Sequence, residues 1–329
     1  MTNRLCRTLI MSILATSLSV AVGAQSITTT IPVAHGAVGI AVNPITNTIY
    51  AVAPGANTAT TANLVVIDGS TNTLSTEIAV PVGSRFVAVD YFTNRIFVTG
   101  CNTHVAPAPC TVTAVDGNTN TVISSLQLTT TIGPGMQGIV ANPLTGRVYV
   151  ADASNNTIDI VSARENTLLG SISLNGNTPA AIAINPILDL LYVPYGTNQT
   201  AVVSAFTKQI LNTTTFGAST VDAAVNYFNG QVYVTDDETG PSQTGVFEAF
   251  GNVLASIPVG DQPLGVDVDP FTNLIFVVST LQDNVEVIDG ATNTVTATVP
   301  GIHGLYVAVN VGTQTVYVSG SKGVTVMSE

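Results

Sequence analysis

Three stretches of this sequence are nearly identical, and this repetition constrains the fold more than any other feature. Residues 67–74, 115–122 and 288–295 each contain Asp-Gly, one variable residue and Thr-Asn-Thr between aliphatic residues that favour strands. Aspartate accepts local backbone N–H groups in such a turn, and glycine adopts positive φ at no steric cost. Each stretch therefore predicts a β-hairpin with its glycine at positive φ.

A second motif precedes each hairpin and sets the number of units. It is a β-branched run, Asn or Asp, often Pro, a polar turn and then Ile/Val-Tyr/Phe-Val. The Asn or Asp that anchors it recurs at Asn43, Asp90, Asn142, Asn185, Asn226, Asp269 and Asn310. A period of roughly 40–50 residues with several short strands per unit is typical of a β-propeller. We therefore predict an all-β, seven-bladed propeller with four strands, a to d, in each blade.

The two ends of the repeat predict how the ring closes. Unit seven stops after its third strand, at residues 324–327, whereas residues 27–33 match the fourth strand of unit six, 295–300. An open ring would leave strand edges unpaired. We expect the N-terminal strand to pair with the C-terminal blade and complete it.

The N-terminus predicts export. Arg4 and Arg7 precede an apolar run at residues 9–22, and small residues follow at 22–24, as in a secretory signal peptide. The alternative is a transmembrane anchor, but the run is shorter than the roughly 20 residues that a bilayer requires. We predict a signal peptide at residues 1–24 and one propeller domain at 25–329, secreted or periplasmic, with no membrane span after cleavage.

Two cysteines, Cys101 and Cys110, remain after removal of this leader. In an exported protein a lone pair at this spacing predicts a disulfide that closes one loop.

The charge of the chain limits its partners. The formal net charge is −12, and Lys208 and Lys322 are the only lysines. Without a basic patch to neutralise phosphates, nucleic-acid binding is disfavoured. We expect a monomer without an obligatory cofactor.

The residues Tyr149-Val150-Ala151-Asp152 and Tyr233-Val234-Thr235-Asp236, together with the repeated turns, resemble the YVTN family of β-propeller repeats over essentially the whole mature chain. This resemblance implies an exported bacterial propeller that acts as a binding or surface protein. More distantly, the fold is similar to that of lactonases and streptogramin lyases. Units four and five depart from the pattern, because residues 205–208 (Ala-Phe-Thr-Lys) and 249–252 (Ala-Phe-Gly-Asn) replace the Asp-Gly turn.

Propeller connectivity separates two kinds of connection. The a–b and c–d turns lie on one face, so we interpret Asp68, Asp116 and Asp289 as turn formers. The d–a and b–c loops lie on the other face, at the channel mouth, where we expect binding. Its predicted rim is formed by the b–c loops 53–62, 100–110 and 236–244.

The histidines map to this channel-mouth face. His35 and His303 lie in d–a loops that become neighbours when the ring closes, and His104 lies in the predicted disulfide loop. Histidine is versatile in binding, although a polar loop residue beside glycine is the simpler interpretation of both d–a histidines.

Strand a supplies the other candidates. Four positions before the anchor, the series is Gly39, Phe86, Gly138, Ala181, Asp222, Gly265 and Tyr306, and Arg85 adjoins Phe86. Two positions before the anchor the residue is usually alanine, but unit six has Asp267. Asp222 and Asp267 could hold Ca²⁺ with backbone carbonyls, or they could be solvated by channel water. The predicted ligand-binding residues are His35, Arg85, Phe86, Asp222, Asp267, His303 and Tyr306.

Three functions follow as hypotheses. The leading one is an exported binding or scaffold module that recognises a small molecule, a glycan or a protein at the channel mouth. The second is a metal-assisted lactonase or lyase, although the sequence has no Gly-x-Ser-x-Gly, His-Glu-x-x-His or phosphate-binding motif. The third is a structural surface or adhesion protein.

Overall fold

The computed structural model describes residues 25–55, 60–131, 135–237 and 242–329. The predicted signal peptide and parts of two predicted rim loops, at 56–59 and 238–241, lie outside these residues. Within them, 28 strands form seven four-stranded antiparallel sheets arranged as a ring of blades. The prediction of an all-β, seven-bladed propeller is confirmed. Among the residues described, no helix is long and apolar enough to cross a membrane.

The strands of each blade follow one another from the channel outwards. Blade 1 contains β2 (Ile40–Asn43), β3 (Thr48–Ala53), β4 (Thr61–Asp68) and β5 (Thr73–Pro81). Blade 2 contains β6 (Ser84–Asp90), β7 (Arg95–Cys101), β8 (Ala108–Asp116) and β9 (Thr121–Thr131). Blade 3 contains β10 (Met136–Asn142), β11 (Arg147–Asp152), β12 (Thr157–Ser162) and β13 (Leu168–Ser173).

The remaining blades repeat this order, and the last one takes its outer strand from the start of the chain. Blade 4 contains β14 (Ala183–Asn185), β15 (Leu190–Pro194), β16 (Gln199–Ser204) and β17 (Gln209–Thr215). Blade 5 contains β18 (Thr220–Asn226), β19 (Gln231–Asp236), β20 (Gln243–Phe247) and β21 (Val253–Pro258). Blade 6 contains β22 (Pro263–Asp269), β23 (Leu274–Ser279), β24 (Asn284–Asp289) and β25 (Thr294–Pro300). Blade 7 contains β26 (Gly304–Asn310), β27 (Thr315–Gly320), β28 (Gly323–Ser328) and β1 (Ile27–Pro32).

Ring closure occurs as the sequence predicts. Strand β1 pairs antiparallel with β28, from Ile27 opposite Met327 to Pro32 opposite Gly323. Ile31 is buried in a cluster that also contains Tyr317 of blade 7 and Ile49 of blade 1. The first strand therefore joins both sides of the seam.

The core lies between the blades. Strand b of each blade presents one fully buried aromatic ring at the same position, and these rings are Tyr50, Phe97, Tyr149, Tyr192, Tyr233, Phe276 and Tyr317. Strand d, in contrast, is mostly exposed, and β13 and β21 each bury only one residue. Strands b and c are covered by neighbouring blades on both sides, which explains their continuous apolar runs.

The Asp-Gly hairpins form, but the prediction that their glycines lie at positive φ is wrong. The left-handed residue is the following asparagine, with φ of 53° at Asn72 and 55° at Asn120. Glycine is required for a different reason. The amide of Gly117 donates to the carbonyl of Asn94 in the a–b turn (2.9 Å), and a Cβ at Gly117 would lie 2.7 Å from Asn94 Oδ1.

The predicted disulfide between Cys101 and Cys110 is present. These two residues face each other in the ladder of β7 and β8, so both strands extend further than the sequence suggests. The exposed connection is therefore only residues 102–107. A disulfide at this position is typical of a protein from an oxidising compartment.

Closure by β1 gives a direct test. The substitution Ile31→Ala removes a side chain that is 4% exposed and should lower the free energy of unfolding by about 2–4 kcal/mol, because a cavity opens at the seam. Thr28→Ala, at an exposed position of the same strand, should change it by about 0.5 kcal/mol or less. Urea unfolding followed by circular dichroism measures both, and equal midpoints would contradict the role of β1.

The close approach of Gly117 to Asn94 and the positive φ of Asn120 give a second test. Gly117→Ala should cost about 1–3 kcal/mol, because the added methyl group overlaps Asn94. Asn120→Ala should cost about 1–2 kcal/mol, because alanine is strained at positive φ, whereas Asn120→Gly should be close to neutral. Chemical unfolding of the three variants measures these differences, and a neutral Gly117→Ala variant would contradict the close approach.

Candidate functional site

The candidate site lies where the innermost strands end at the channel mouth. Strand a of each blade packs against strand a of both neighbouring blades, so these seven strands line an axial channel. We call the end that carries the d–a and b–c loops the loop face, and the end that carries the a–b and c–d turns the turn face. The candidate residues named from the sequence belong to the channel and the loop face.

A cavity of about 130 Å³ occupies the channel mouth. Its lining includes six members of the strand-a series noted in the sequence: Gly39, Phe86, Gly138, Ala181, Asp222 and Tyr306. The repeat itself brings these side chains to one level of the channel. Three of the six are glycine or alanine, which leaves open space that the side chains of Phe86, Asp222 and Tyr306 enter.

Two aromatic rings form one wall of this cavity. The rings of Phe86 and Tyr306 meet edge to face with centroids 6.1 Å apart, although blade 1 lies between their blades. Gly39 of blade 1 makes this contact possible. A Cβ there would lie 2.4 Å from the carbonyl oxygen of Arg85, so only glycine allows the inner strands to approach so closely.

Asp222 forms the acidic part of the cavity and joins two blades. Its Oδ1 accepts the N–H of Ala223 (2.9 Å), and its Oδ2 accepts the N–H of Val266 on strand a of blade 6 (3.2 Å). Burial raises the pKa of this carboxyl group to about 7, against the lowering effect of the two amides. Asp222 therefore changes charge near neutral pH.

Asp267 repeats this arrangement one blade further on and deeper in the channel. Its carboxylate accepts the N–H of Val268 and the N–H of Val309 on blade 7, both at 2.8 Å. Burial raises its pKa to about 6. The backbone partners of both carboxylates were not predicted from the sequence, which suggested channel water or a cation.

Metal binding has limited support in the side-chain geometry. Among the described ranges, no group of three or more His, Cys, Asp or Glu residues is placed to hold a metal ion. A calcium ion between Asp222 and Asp267 would depend on backbone carbonyls for its other ligands.

A second cavity, of about 310 Å³, lies beside the first at the seam of the ring. His35 and His303 both line it, so the structure brings together the two histidines as ring closure suggests. The first cavity is lined by Gly39 and Tyr306, and the second by their sequence neighbours Val38 and Leu305. The two cavities therefore adjoin.

Sequence reasoning missed Asp283, the partner of His303. The Nδ1 of His303 lies 2.6 Å from the Asp283 carboxylate, and both side chains remain partly exposed. A carboxylate at Nδ1 fixes the histidine tautomer and leaves Nε2 as an acceptor or proton carrier. The b–c connection of blade 6 carries Asp283 and the following d–a loop carries His303, so connectivity alone signals their proximity.

Arg85 lies at the edge of this site, whereas His104 lies in the b–c connection of blade 2. Arg85 and His104 are exposed, and Arg85 is close enough to Tyr306 to oppose the rise in its pKa. Burial, followed by the charge of Asp222, raises the pKa of Tyr306 to about 12, so its hydroxyl stays neutral.

The loop face is acidic. It and the adjoining channel carry aspartates from blades 3, 5 and 6: Asp152, Asp159, Asp222, Asp236, Asp237, Asp261, Asp267 and Asp283. Among the described residues, the basic side chains on this face are Arg85 and Lys322. Such a field favours cationic groups over anionic ones.

Comparison with known proteins supports the fold more strongly than a function. No model of a known protein family matches the chain. The chain resembles the solved structure of Kuenenia stuttgartiensis hydrazine synthase with a TM-score of 0.73, covering 89% of this chain and 95% of that one. Their sequences are 17% identical, so the likeness shows the propeller fold alone.

One curated relative is similar in sequence. The PE-PGRS family protein PE_PGRS18 of Mycobacterium tuberculosis is 35% identical over 153 residues, which is 46% of this chain. The match spans only 33% of that protein, about a third of its length.

The raised pKa values give a test by titration. Carboxyl ¹³C shifts of Asp222 and Asp267 should titrate near pH 7 and 6, whereas Asp68, whose pKa is lowered by bonds from Ser70, should titrate below 3.8. Because the folded state binds these two protons more tightly than the unfolded chain, their contribution to stability is lost as the pH rises through 6–7. Asp222→Asn should reduce that loss. Midpoints near 4 would show that the two carboxylates are hydrated as in the unfolded chain.

Proposed function

We propose that this protein is an exported binding module of the YVTN type whose channel mouth binds a small ligand with a cationic nitrogen. The observation that carries the proposal is the convergence of Asp222 with the ring pair of Phe86 and Tyr306 on one cavity. The propeller fold is consistent with a binding or scaffold role, and the nature of the ligand is inferred from the chemistry of this cavity.

The lining favours a cation over other ligands. The faces of aromatic rings attract ammonium and guanidinium groups, most strongly where water is partly excluded. The ionised Asp222 supplies an opposite charge, and the neutral hydroxyl of Tyr306 supplies a hydrogen-bonding group. The acidic loop face raises the local concentration of cations before they enter.

The two cavity volumes limit the size of the ligand. At about 130 Å³, the channel cavity is smaller than the roughly 300–1,000 Å³ typical of sites for drug-sized molecules, so only a small head group fits. The adjoining 310 Å³ cavity can hold the rest of the ligand, beside His35, His303 and Asp283. A head group in the channel with a polar remainder at the seam fits this arrangement.

The proposal also includes export of the protein and its membership of the YVTN family. The Cys101–Cys110 disulfide supports an oxidising compartment, in agreement with the signal peptide predicted at residues 1–24. The tyrosines of the Tyr-Val motifs, Tyr149 and Tyr233, are fully buried ring residues of strand b. The residues of the family motif therefore belong to the blade core, and the proposed ligand-binding residues lie outside the motif.

Binding can be measured with a simple cation. Tetramethylammonium, followed by calorimetry and thermal shift, should bind more tightly at pH 8 than at pH 5.5, because Asp222 is ionised only above about pH 7. Asp222→Asn should weaken binding at pH 8 by about tenfold or more through loss of the charge. Phe86→Leu, which removes the ring face but keeps an apolar side chain, should weaken it as well.

The matched control is Asp261→Asn, which removes one charge from the loop face outside both cavities. It should leave binding within about twofold, since a partly exposed charge outside both cavities is screened by salt. Equal losses of affinity in Asp222→Asn and Asp261→Asn would mean that binding depends on the overall negative charge of the loop face and not on the cavity. No binding to the wild-type protein would overturn the proposed ligand class.

A further inference from the structure

Four junctions of the ring share one hydrogen bond, and the junction of blades 6 and 7 has two carboxyl groups in its place. In the shared bond, the side-chain amide of the anchor asparagine donates to the left-handed residue in the a–b turn of the next blade. These bonds join Asn43 to Asn94, Asn142 to Asp189, Asn226 to Asn273 and Asn310 to Asn47, at 2.7–2.9 Å. Each of them places an N–H donor opposite an oxygen acceptor.

The anchor of blade 6 cannot donate this bond, because it is an aspartate, Asp269. The left-handed residue in the a–b turn of blade 7 is Gln314, whose side chain is exposed. Glu329 follows strand β28 as Gly69 follows β4, and its N–H donates to the carbonyl of Gln314 (3.2 Å). The side chain of Glu329 therefore belongs to the turns of this junction.

Asp269 and Glu329 bring two carboxyl groups together on the turn face. Asp269 is 0% exposed, and its Oδ1 accepts the N–H groups of Phe271 (2.7 Å) and Thr272 (3.3 Å). Oε1 of Glu329 accepts the hydroxyl group of Thr272. The other two oxygens, Oδ2 of Asp269 and Oε2 of Glu329, are buried and have no hydrogen-bond donor among the described residues. The two carboxyl groups lie within hydrogen-bonding reach of each other.

The surroundings of this pair are neutral or acidic. In the part of the chain that the structure describes, neither carboxyl group forms an ion pair with a basic side chain. Besides burial, the charge of Asp269 contributes to the raised pKa of Asp267 on the same strand and of Tyr227 in the a–b turn of blade 5. Two carboxylates in such surroundings repel each other, so a positive charge between them is favoured.

A proton fits between the two oxygens better than a metal ion. Calcium takes six to eight oxygen ligands, whereas the side chains here supply two carboxyl groups and the hydroxyl of Thr272. A proton needs only one donor oxygen and one acceptor oxygen. Burial, together with the neighbouring Asp269, raises the pKa of Glu329 to about 7 against the lowering effect of Thr272, which agrees with protonation near neutral pH.

We infer that Asp269 and Glu329 share one proton that links blades 6 and 7, and that this junction weakens when the proton is lost. In the protonated pair, the hydroxyl of one carboxyl group donates to the free oxygen of the other, as the amide does at four other junctions. Because the folded state binds this proton more tightly than the unfolded chain, its contribution to stability is present in full below the ordinary pKa of 4.5 and is lost as the pH rises to about 7. The inference is independent of the proposed ligand site, which lies at the other end of the channel.

The substitution Asp269→Asn restores the missing donor and tests the shared proton. Asparagine is the anchor of five other blades: Asn43, Asn142, Asn185, Asn226 and Asn310. The side-chain carboxyl of Glu329, followed by ¹³C NMR, should titrate near pH 7 in the wild-type protein and at or below 4.5 in Asp269→Asn, because an amide donor favours the ionised form. This midpoint belongs to one group, so the titrations of Asp222 and Asp267 in the same range do not affect it.

Thermal unfolding measures the consequence for the ring. At pH 8, where the wild-type pair has lost its proton, Asp269→Asn should raise Tm by about 2–4 °C. At pH 5, where the pair holds its proton, the two proteins should differ less. Glu329→Gln places the amide on the other partner and should have the same effect on Tm at the two pH values.

The matched control is Asp90→Asn, the same change at the only other aspartate anchor. The left-handed residue that follows in blade 3 is Gly146, which has no side-chain carboxyl group. Asp90→Asn should therefore leave the Glu329 midpoint near pH 7, and the difference in Tm between pH 5 and pH 8 should remain that of the wild type.

Three results would overturn the inference. A midpoint of 4.5 for Glu329 in the wild-type protein would show that no proton is shared. The same raised midpoint in the wild type and in Asp269→Asn would assign the raised pKa to burial alone. Stabilisation of the wild type by Ca²⁺ at pH 8, abolished in Asp269→Asn, would identify a metal ion as the group between the two oxygens.

Discussion

One left-handed residue in the a–b turn is hydrogen-bonded both to the c–d turn of its own blade and to the neighbouring blade. In blade 1 this residue is Asn47, whose carbonyl accepts the N–H of Gly69 from the c–d turn and whose Oδ1 accepts the amide of Asn310 from blade 7 (2.7 Å). The same bond between neighbouring blades joins Asn43 to Asn94 and Asn226 to Asn273, also at 2.7 Å. A buried amide without such a partner would cost about 1–3 kcal/mol, so these bonds fix the spacing of the blades that they join. Closure between blades 7 and 1 uses the same interaction as the junction of blades 1 and 2 and that of blades 5 and 6.

This scaffold leaves two faces with different chemistry. On the turn face, the motif asparagines and glycines form the turns, and exposed apolar side chains such as Phe92 and Phe271 lie at the turn tips. On the loop face and in the channel, inter-blade bonds are made by Asp222 and Asp267 to backbone amides of the next blade. Their carboxylates therefore contribute to the ring and also set the charge of the channel. A ligand bound at Asp222 would contact a carboxylate that is hydrogen-bonded to both blade 5 and blade 6.

Much of the fold follows from the sequence because the repeat is local and redundant. Seven anchors at a regular period predict seven blades, and the unmatched strand at residues 27–33 predicts how the seventh is completed. The sequence did not predict which residue of each hairpin turn adopts the left-handed conformation. Asp-Gly suggested a glycine at positive φ, but the four-residue turn places Asn72 and Asn120 there, and glycine serves a contact with the neighbouring hairpin. A contact between two turns of one blade has no signature in either turn alone.

The sequence by itself determined the blade count, the closing strand, the disulfide and the level of the channel at which Phe86, Asp222 and Tyr306 stand, since each depends on position within a repeat. The tertiary structure decided which of these side chains meet: the ring contact across Gly39, the amide partners of the two channel carboxylates and the pairing of His303 with Asp283. Position within a repeat is encoded along the chain, whereas these contacts depend on distances between blades, and those distances exist only after the ring has closed.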